Sequence, residues 1–367
     1  MQHERFIRLQ KIVADAGLDA IVLVPGANLR YLTGVTFHLS ERPLLLIVPK
    51  QGNPGVIIPL LEQEKLKEHG FAGDLFVWSD AEGYHGAFGK AIQGMKLAGK
   101  RIGVEGLQMR VLEGQLLQEF ASGSHIIPAD EELVNLRIIK SADEVALHRK
   151  AIEISEEALR RTLRDIKLGM TERQIAQILT QYQTELGGEQ DSFAPLILIG
   201  PRSALPHGMP GDTRLERGLP LLIDYGTVYG GYVSDITRTF FVGEPSEKFK
   251  ALYMAVLGAN EAGRQKVHPG VAAEDVDSAA ASVLRQSAFA QYIIHRTGHG
   301  LGIDIHEHPN IVQGYKRQLE PGMVFTIEPG LYIPGEFGVR IEDNIVVTPD
   351  GGESLTSFPR ELMILDL

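Results

Sequence analysis

Leu215-Glu216-Arg217-Gly218-Leu219-Pro220-Leu221-Leu222-Ile223-Asp224-Tyr225-Gly226 is echoed 104 residues later by Leu319-Glu320-Pro321-Gly322-Met323-Val324-Phe325-Thr326-Ile327-Glu328-Pro329-Gly330. Leu, Glu, Gly, Ile, an acid and a closing Gly fall in register. Upstream, Gly169-Met170-Thr171-Glu172 has a counterpart in Gly270-Val271-Ala272-Ala273-Glu274, and each opens an amphipathic helical pattern. Downstream, a second acid follows each copy, Asp235 after the first and Glu342 after the second. A repeat of helix, loop, strand-acid and strand-acid predicts two half-domains related by a pseudo-two-fold axis. The four carboxylates then converge on a shared centre.

Each of these acids ends or follows an apolar run of the kind that forms a buried strand. A carboxylate carried into a core is costly unless a cation or hydrogen bonds hold it. His299, flanked by Gly298 and Gly300, adds an imidazole to the set. Singly the signals are weak, since an aspartate after a strand is usually a turn or cap residue and a lone histidine is usually structural. The ordered set is specific, and its ligand count suits two divalent ions about 3.5–4 Å apart. With no cysteine in the chain, any metal must take oxygen and imidazole ligands. Mn²⁺, Co²⁺ and Zn²⁺ all accept them. A water between two such ions becomes a nucleophile near neutral pH, so the expected chemistry is metal-assisted hydrolysis. Two other motifs carry no weight. Gly298-His299-Gly300-Leu301-Gly302 lacks the strand and helix of a dinucleotide loop. His306-Glu307-His308 lacks the spacing of helical zinc proteases.

The chain's 367 residues fit two domains. In the first, expected over 1–128, a helical pattern over 4–16 ends at Gly17. Strand-like runs follow at 20–24, 43–49, 55–59, 74–78 and 101–105, with helical stretches at 60–70 and near 86–98. The alternation reads as an α/β scaffold without a ligand cluster of its own. The second domain is expected over 136–367, and Ser141 with Glu144 marks a capped helix near its start. A formal charge of −11 argues against nucleic acid as a partner. No apolar run approaches the ~20 residues that span a bilayer, and the first residues lack the apolar core of a secretion signal. The expectation is a cytoplasmic protein with no membrane partner.

The series Asp224, Asp235, His299, Glu328 and Glu342, in its local contexts, resembles the pita-bread metallopeptidases. That family includes methionine aminopeptidase, Xaa-Pro aminopeptidase (aminopeptidase P) and Xaa-Pro dipeptidase (prolidase). The resemblance is strong over about 136–360. Residues 1–128, with Asn28-Leu29-Arg30-Tyr31-Leu32-Thr33-Gly34, are similar in layout to the creatinase-like N-terminal domain of the proline-directed members. The implied fold is therefore α/β (α+β), a creatinase-like domain followed by a pseudo-two-fold pita-bread catalytic domain.

The resemblance also implies roles. Asp235 and Glu342 would bridge two ions, Asp224 would chelate one, and His299 and Glu328 would complete the other, with manganese favoured. Glu328 would shuttle the proton to the leaving nitrogen. His207 would contact substrate near the scissile bond, His306 would hydrogen-bond its carbonyl, and Arg340 would hold a ligand carboxylate. His295 would line the proline side. Arg296 resembles the prolidase arginine that binds the free carboxylate of a dipeptide. The N-terminal domain and the Val339-Arg340-Ile341-Glu342-Asp343 context point away from methionine aminopeptidase. The expected substrate is a small peptide with proline second, most simply the dipeptide; aminopeptidase P activity on longer peptides is the alternative. A non-peptidase hydrolase such as creatinase, or a binding module on the same fold, is a lesser one, since both typically lose the ligands. The family also implies a homodimer, in which the 35–42 loop with His38, Glu41 and Arg42 would reach the neighbouring site.

Overall fold

Alternation along two strands decides where the acids point. In strand Pro220–Tyr225, Leu221, Ile223 and Tyr225 enter a core built with Ile152, Leu159, Ile175 and Leu179 of two helices. Leu222 and Asp224 therefore occupy the opposite face of the sheet, and Leu222 packs there with Leu196 and Leu198. The same parity operates in strand Ile236–Val242, where Ile236, Phe240 and Val242 join the helix-side core. Thr237 and Thr239 face the other way. The helix-side face is thus largely apolar, whereas the other combines apolar packing with the polar side chains of Asp224, Thr237 and Thr239.

These strands belong to a computed structural model that describes residues 2–367. The chain divides into two compact units, Met1–Arg137 and Ile138–Leu367. The first holds a six-stranded mixed sheet. Its strand Ala20–Leu23 lies between Leu45–Pro49, which is antiparallel to it, and Arg101–Val104, which is parallel. Gly55–Pro59 and Asp74–Trp78 extend one side and His125–Pro128 the other. The runs expected as strands are strands, and the helix expected over 60–70 spans Leu60–Glu68. The sequence reading lacked helix Ala27–Thr33, closed by Gly34 at φ 74°, and helix Val111–Phe120. In the 35–42 loop, Arg42 is tied bidentately to Asp80 at 2.9 Å through both Nε and Nη2.

In the second unit the repeat becomes architecture. Helices Ala142–Asp165 and Glu172–Glu185 precede three antiparallel strands, Leu196–Ile199, Pro220–Tyr225 and Ile236–Val242. Helices Glu247–Lys266 and Ala273–Gln286 precede a second antiparallel trio, Gly298–Gly300, Val324–Ile327 and Asp343–Thr348. The expected Ser141 capping box is present, with Glu144 N–H donating to Ser141 Oγ at 3.3 Å and Ser141 N–H to Glu144 Oε2 at 2.7 Å. Thr171 and Gln174 form another at the next helix. The repeat offset widens from 104 at Asp224 and Glu328 to 107 at Asp235 and Glu342. The hairpin Gly330–Ile333 with Phe337–Arg340, longer than its counterpart Val228–Tyr229 with Tyr232–Val233, accommodates the difference. No helix among the described residues is long and apolar enough to cross a membrane.

His148, on helix Ala142–Asp165, is fully buried against the ring of Tyr232. Its Nδ1 lies 2.7 Å from Val233 O, while Nε2 has no partner, the pattern of a neutral ring donating through Nδ1. Burial, reinforced by the charge of Lys140, depresses its pKa to about 4. The unfolded chain, titrating near 6.5, binds the proton first as pH falls. Stability from this residue is therefore complete above pH 6.5 and is lost as pH falls toward 4, by about 3 kcal/mol at most. Urea midpoints between pH 7.5 and 4.5 are expected to fall less steeply in His148→Gln than in wild type. Parallel profiles would remove His148 from the account.

Candidate metal centre

A cavity of about 430 Å³ opens on the polar face. Asp224, Asp235, His299, Glu328, Glu342, His207, His306, His295, Arg296 and Arg340 all line it. Asp224 comes from strand Pro220–Tyr225, and Asp235 immediately precedes strand Ile236–Val242. His299 sits in strand Gly298–Gly300. Glu328 immediately follows strand Val324–Ile327, and Glu342 immediately precedes strand Asp343–Thr348. The glycines beside His299 have a steric reason: a Cβ at Gly298 would lie 2.0 Å from Thr326 O, and one at Gly300 would lie 2.2 Å from His308 O.

The electrostatics of the cluster are those of a cation site. Asp235, His299 and Glu342 are buried and offer ligand atoms within 4.8 Å of one another. Burial, and then the charge of Glu342, push the Asp235 carboxyl well above the usual range. Burial, and then Glu328 and Asp224, do the same to Glu342. Burial raises Glu328 to about 7. His299 moves the other way, to about 3, through burial and then the neighbouring His306, whose ring centroid is 4.2 Å distant. A neutral His299 that donates through Nδ1 to Gly300 O, 3.1 Å away, presents the lone pair of Nε2. That lone pair faces Glu328 Oε1 at 3.3 Å and Asp235 Oδ2 at 3.6 Å. Acceptors facing acceptors require a proton or a cation between them.

Asp224 gives an independent indication. Arg340 donates through Nη2 to Asp224 Oδ2, while the buried Oδ1 has no hydrogen-bond partner. One oxygen is oriented and the other is left for a ligand, so the donor set fits divalent ions. Arg340 is engaged at all three nitrogens: Nε donates to Thr237 Oγ1 at 3.1 Å and Nη1 to Tyr332 OH at 2.7 Å. Despite its burial, the negative groups around it hold its pKa well above the ordinary value.

The remaining lining separates into two kinds. His207 and His306 are solvent-exposed residues of the lining, and partial enclosure of the His306 ring, followed by the charge of Arg296, lowers its pKa. His295 has both ring nitrogens engaged, Nδ1 with Arg296 O at 2.7 Å and Nε2 with Tyr332 OH at 2.8 Å. Burial, and then the charge of Arg340, lower its pKa to about 4, so it presents a neutral ring. Arg296 donates through Nη1 to Asn310 Oδ1 at 2.7 Å. Phe193, Ala194, Leu196, Met209 and Ile305 form an apolar wall that sequence reasoning missed. Tyr332, Asn310, Thr237 and Asn344 were missed as well. Only the nearness in the chain of Thr237 to Asp235 and of Asn344 to Glu342 offered any signal.

Residues 146–349 match metallopeptidase family M24, and residues 5–139 match the Creatinase/Prolidase N-terminal domain. A Staphylococcus aureus protein described as an uncharacterized peptidase is 34% identical over 356 residues, covering 96% of this chain and 99% of its own. Among solved structures, a prolidase from Thermococcus sibiricus has a TM-score of 0.95 at 37% identity, covering 100% of this chain and 99% of that one. An X-Pro aminopeptidase from Thermotoga maritima has a TM-score of 0.85 at 30% identity, covering 98% and 99%.

Proposed function

The chain belongs to metallopeptidase family M24, and from that premise we propose that it hydrolyses the Xaa-Pro bond of dipeptides with two divalent metal ions. It is an enzyme that uses divalent metal. The observation that carries the reading is a single cavity joining the five-ligand cluster to Arg296. Of the two arginines lining that cavity, Arg340 has all its nitrogens engaged, whereas Arg296 spends Nη1 on Asn310 and keeps Nε and Nη2 for a substrate carboxylate. The higher similarity to a prolidase than to an X-Pro aminopeptidase supports the same choice.

In this reading Asp235 and Glu342 would hold both ions, Asp224 would hold one of them, and His299 and Glu328 would hold the other. When bound, the ions supply an activated water and polarise the scissile carbonyl. Glu328 accepts one proton of the attacking water and delivers it to the proline nitrogen as the C–N bond breaks; the second water proton follows to the same amine, so the products are the Xaa carboxylate and proline with a protonated nitrogen. His306 donates to the carbonyl oxygen as negative charge gathers there. His207 contacts the substrate near the scissile bond. The ring of His295, with both nitrogens engaged, packs against proline instead of donating to it. Arg340 fixes Asp224 so that Oδ1 stays turned to the ligand side. Manganese, a cytoplasmic location and a homodimer complete the proposal on family resemblance. A creatinase-like hydrolase or a binding module is disfavoured because all five ligand-type residues line one cavity.

Comparing Ala-Pro with Ala-Pro-Ala tests the substrate length. The dipeptide is expected to give the higher kcat/KM, and preference for the tripeptide would transfer the chain to the aminopeptidase branch. Arg296→Ala is expected to raise KM for Ala-Pro by roughly tenfold to a hundredfold, the loss of one charge-assisted pair, and to leave Ala-Pro-Ala nearly unchanged. Equal effects on both peptides would count against a carboxylate contact.

A further inference from the structure

We infer that Thr237 and Asn344 are paired positioning residues, each two places beyond an acid of its own half-domain and each holding the acid of the other half. The inference rests on the metal-centre reading above and assigns to it two residues that touch neither ion nor substrate.

Thr237 follows Asp235 by two and so lies on the same face of its strand. Its Oγ1 donates to Glu342 Oε2 at 2.6 Å, and its backbone carbonyl accepts Glu342 N–H at 3.1 Å. Arg340 Nε also reaches Oγ1, at 3.1 Å, and a guanidinium only donates. The single hydroxyl proton of Thr237 is therefore committed to Glu342. Oε2 is pinned, and Oε1 is left without that restraint.

Asn344 follows Glu342 by two and answers across the pseudo-two-fold. Its Oδ1 accepts Asp235 N–H at 3.2 Å, and its Nδ2 donates to Asp235 O. The side-chain amide thus pairs with both backbone groups of Asp235, as a neighbouring strand would. Thr356 holds the amide in turn, with Asn344 N–H donating to Thr356 Oγ1 at 3.0 Å and Nδ2 reaching it at 3.3 Å. Thr237 and Asn344 are both fully buried, so no water substitutes for a lost partner. The first half sets the rotamer of the second half's acid, and the second half sets the backbone of the first half's acid. Neither acid is placed by its own half alone. Affinity for the ions then depends on the seam between the halves.

Calorimetric titration of the metal-free full chain with MnCl₂ tests this. Thr237→Val, which keeps the shape and removes the hydroxyl, is expected to weaken Mn²⁺ binding by roughly tenfold to a hundredfold. Thr237→Ser, which restores the hydroxyl, is expected to recover most of that loss. Saturating Mn²⁺ is expected to return the kcat of Thr237→Val toward wild type, a rescue that removal of a ligand does not allow. Asn344→Ala carries the same expectation of weakened binding, so a Thr237→Val protein that failed to fold would not protect the idea. Wild-type Mn²⁺ affinity in either Thr237→Val or Asn344→Ala would overturn it, as would a Thr237→Ser protein as weak as Thr237→Val. Glu342→Ala separates the two levels. If that variant loses Mn²⁺ while Thr237→Val does not, the positioning role fails and the metal centre stands. If it binds Mn²⁺ like wild type, both fall.

Discussion

Glu342→Ala is expected to lower turnover of Ala-Pro by at least about 10³-fold, equivalent to roughly 4 kcal/mol of transition-state stabilisation, while the protein remains folded. The loss is large because Glu342 belongs to the tightest part of the cluster, with Asp235 and His299. Alanine offers no oxygen to the proposed metal centre, and its neighbours are held too firmly to replace it. Asp235 is clamped through its backbone by Asn344, and Asp224 is held by Arg340. Folding survives because two consequences oppose one another. Thr237 Oγ1 loses a buried acceptor, which costs about 1–3 kcal/mol. Against this, a buried carboxylate is removed whose charged form was opposed by desolvation and then by Glu328 and Asp224. Metal analysis after loading with Mn²⁺ is expected to show about two ions per wild-type chain and fewer in the variant, with unchanged far-UV circular dichroism. Retained turnover would show that Glu342 does not hold the ions.

The four acids and the histidine that line the cavity were legible as a set in the sequence because two independent patterns coincide on the acids. Strand runs such as Leu221-Leu222-Ile223 announce burial, and an acid at the end of a buried run needs a partner. The repeat then ties four such ends to one centre. Helix Ala142–Asp165 was legible for a local reason, since its capping box lies within four residues of chain. What escaped notice depends on partners remote in sequence. Thr237 reaches Glu342 across 105 residues, and Tyr332 reaches His295 across 37. The apolar wall of Phe193, Leu196 and Met209 comes from one strand and the loops flanking it, without a spacing that would single it out. Helix Ala27–Thr33 is only seven residues long, and five of the seven are buried. Its turns are held by tertiary packing more than by an amphipathic period. Arg296 lies between these cases. Its distance from His299 was visible in the chain, but its orientation is set by Asn310, which no motif marks.

Glu328→Gln is expected to separate chemistry from metal binding. Glutamine keeps an oxygen where Glu328 faces His299 Nε2, and Thr326 Oγ1, 3.3 Å from Glu328 Oε1, remains able to donate to it. It cannot take up a proton. Mn²⁺ stoichiometry is therefore expected to stay near that of the wild type, while kcat for Ala-Pro falls by about 10²–10⁴-fold, the range for removing a positioned acid–base group. KM is expected to change little, because Arg296 and the apolar wall still receive the dipeptide. Burial already raises the proton affinity of Glu328, to about 7, which is the direction required of a group that must hold a proton between two steps. The contrast with Glu342→Ala is the informative part. One variant is expected to lose ions and activity together, the other activity alone. If Glu328→Gln instead loses Mn²⁺ in parallel with kcat, Glu328 acts as a ligand only. The proton would then have to pass through another group at the cavity, and His207 and His306, exposed residues of its lining, are the residues to substitute next.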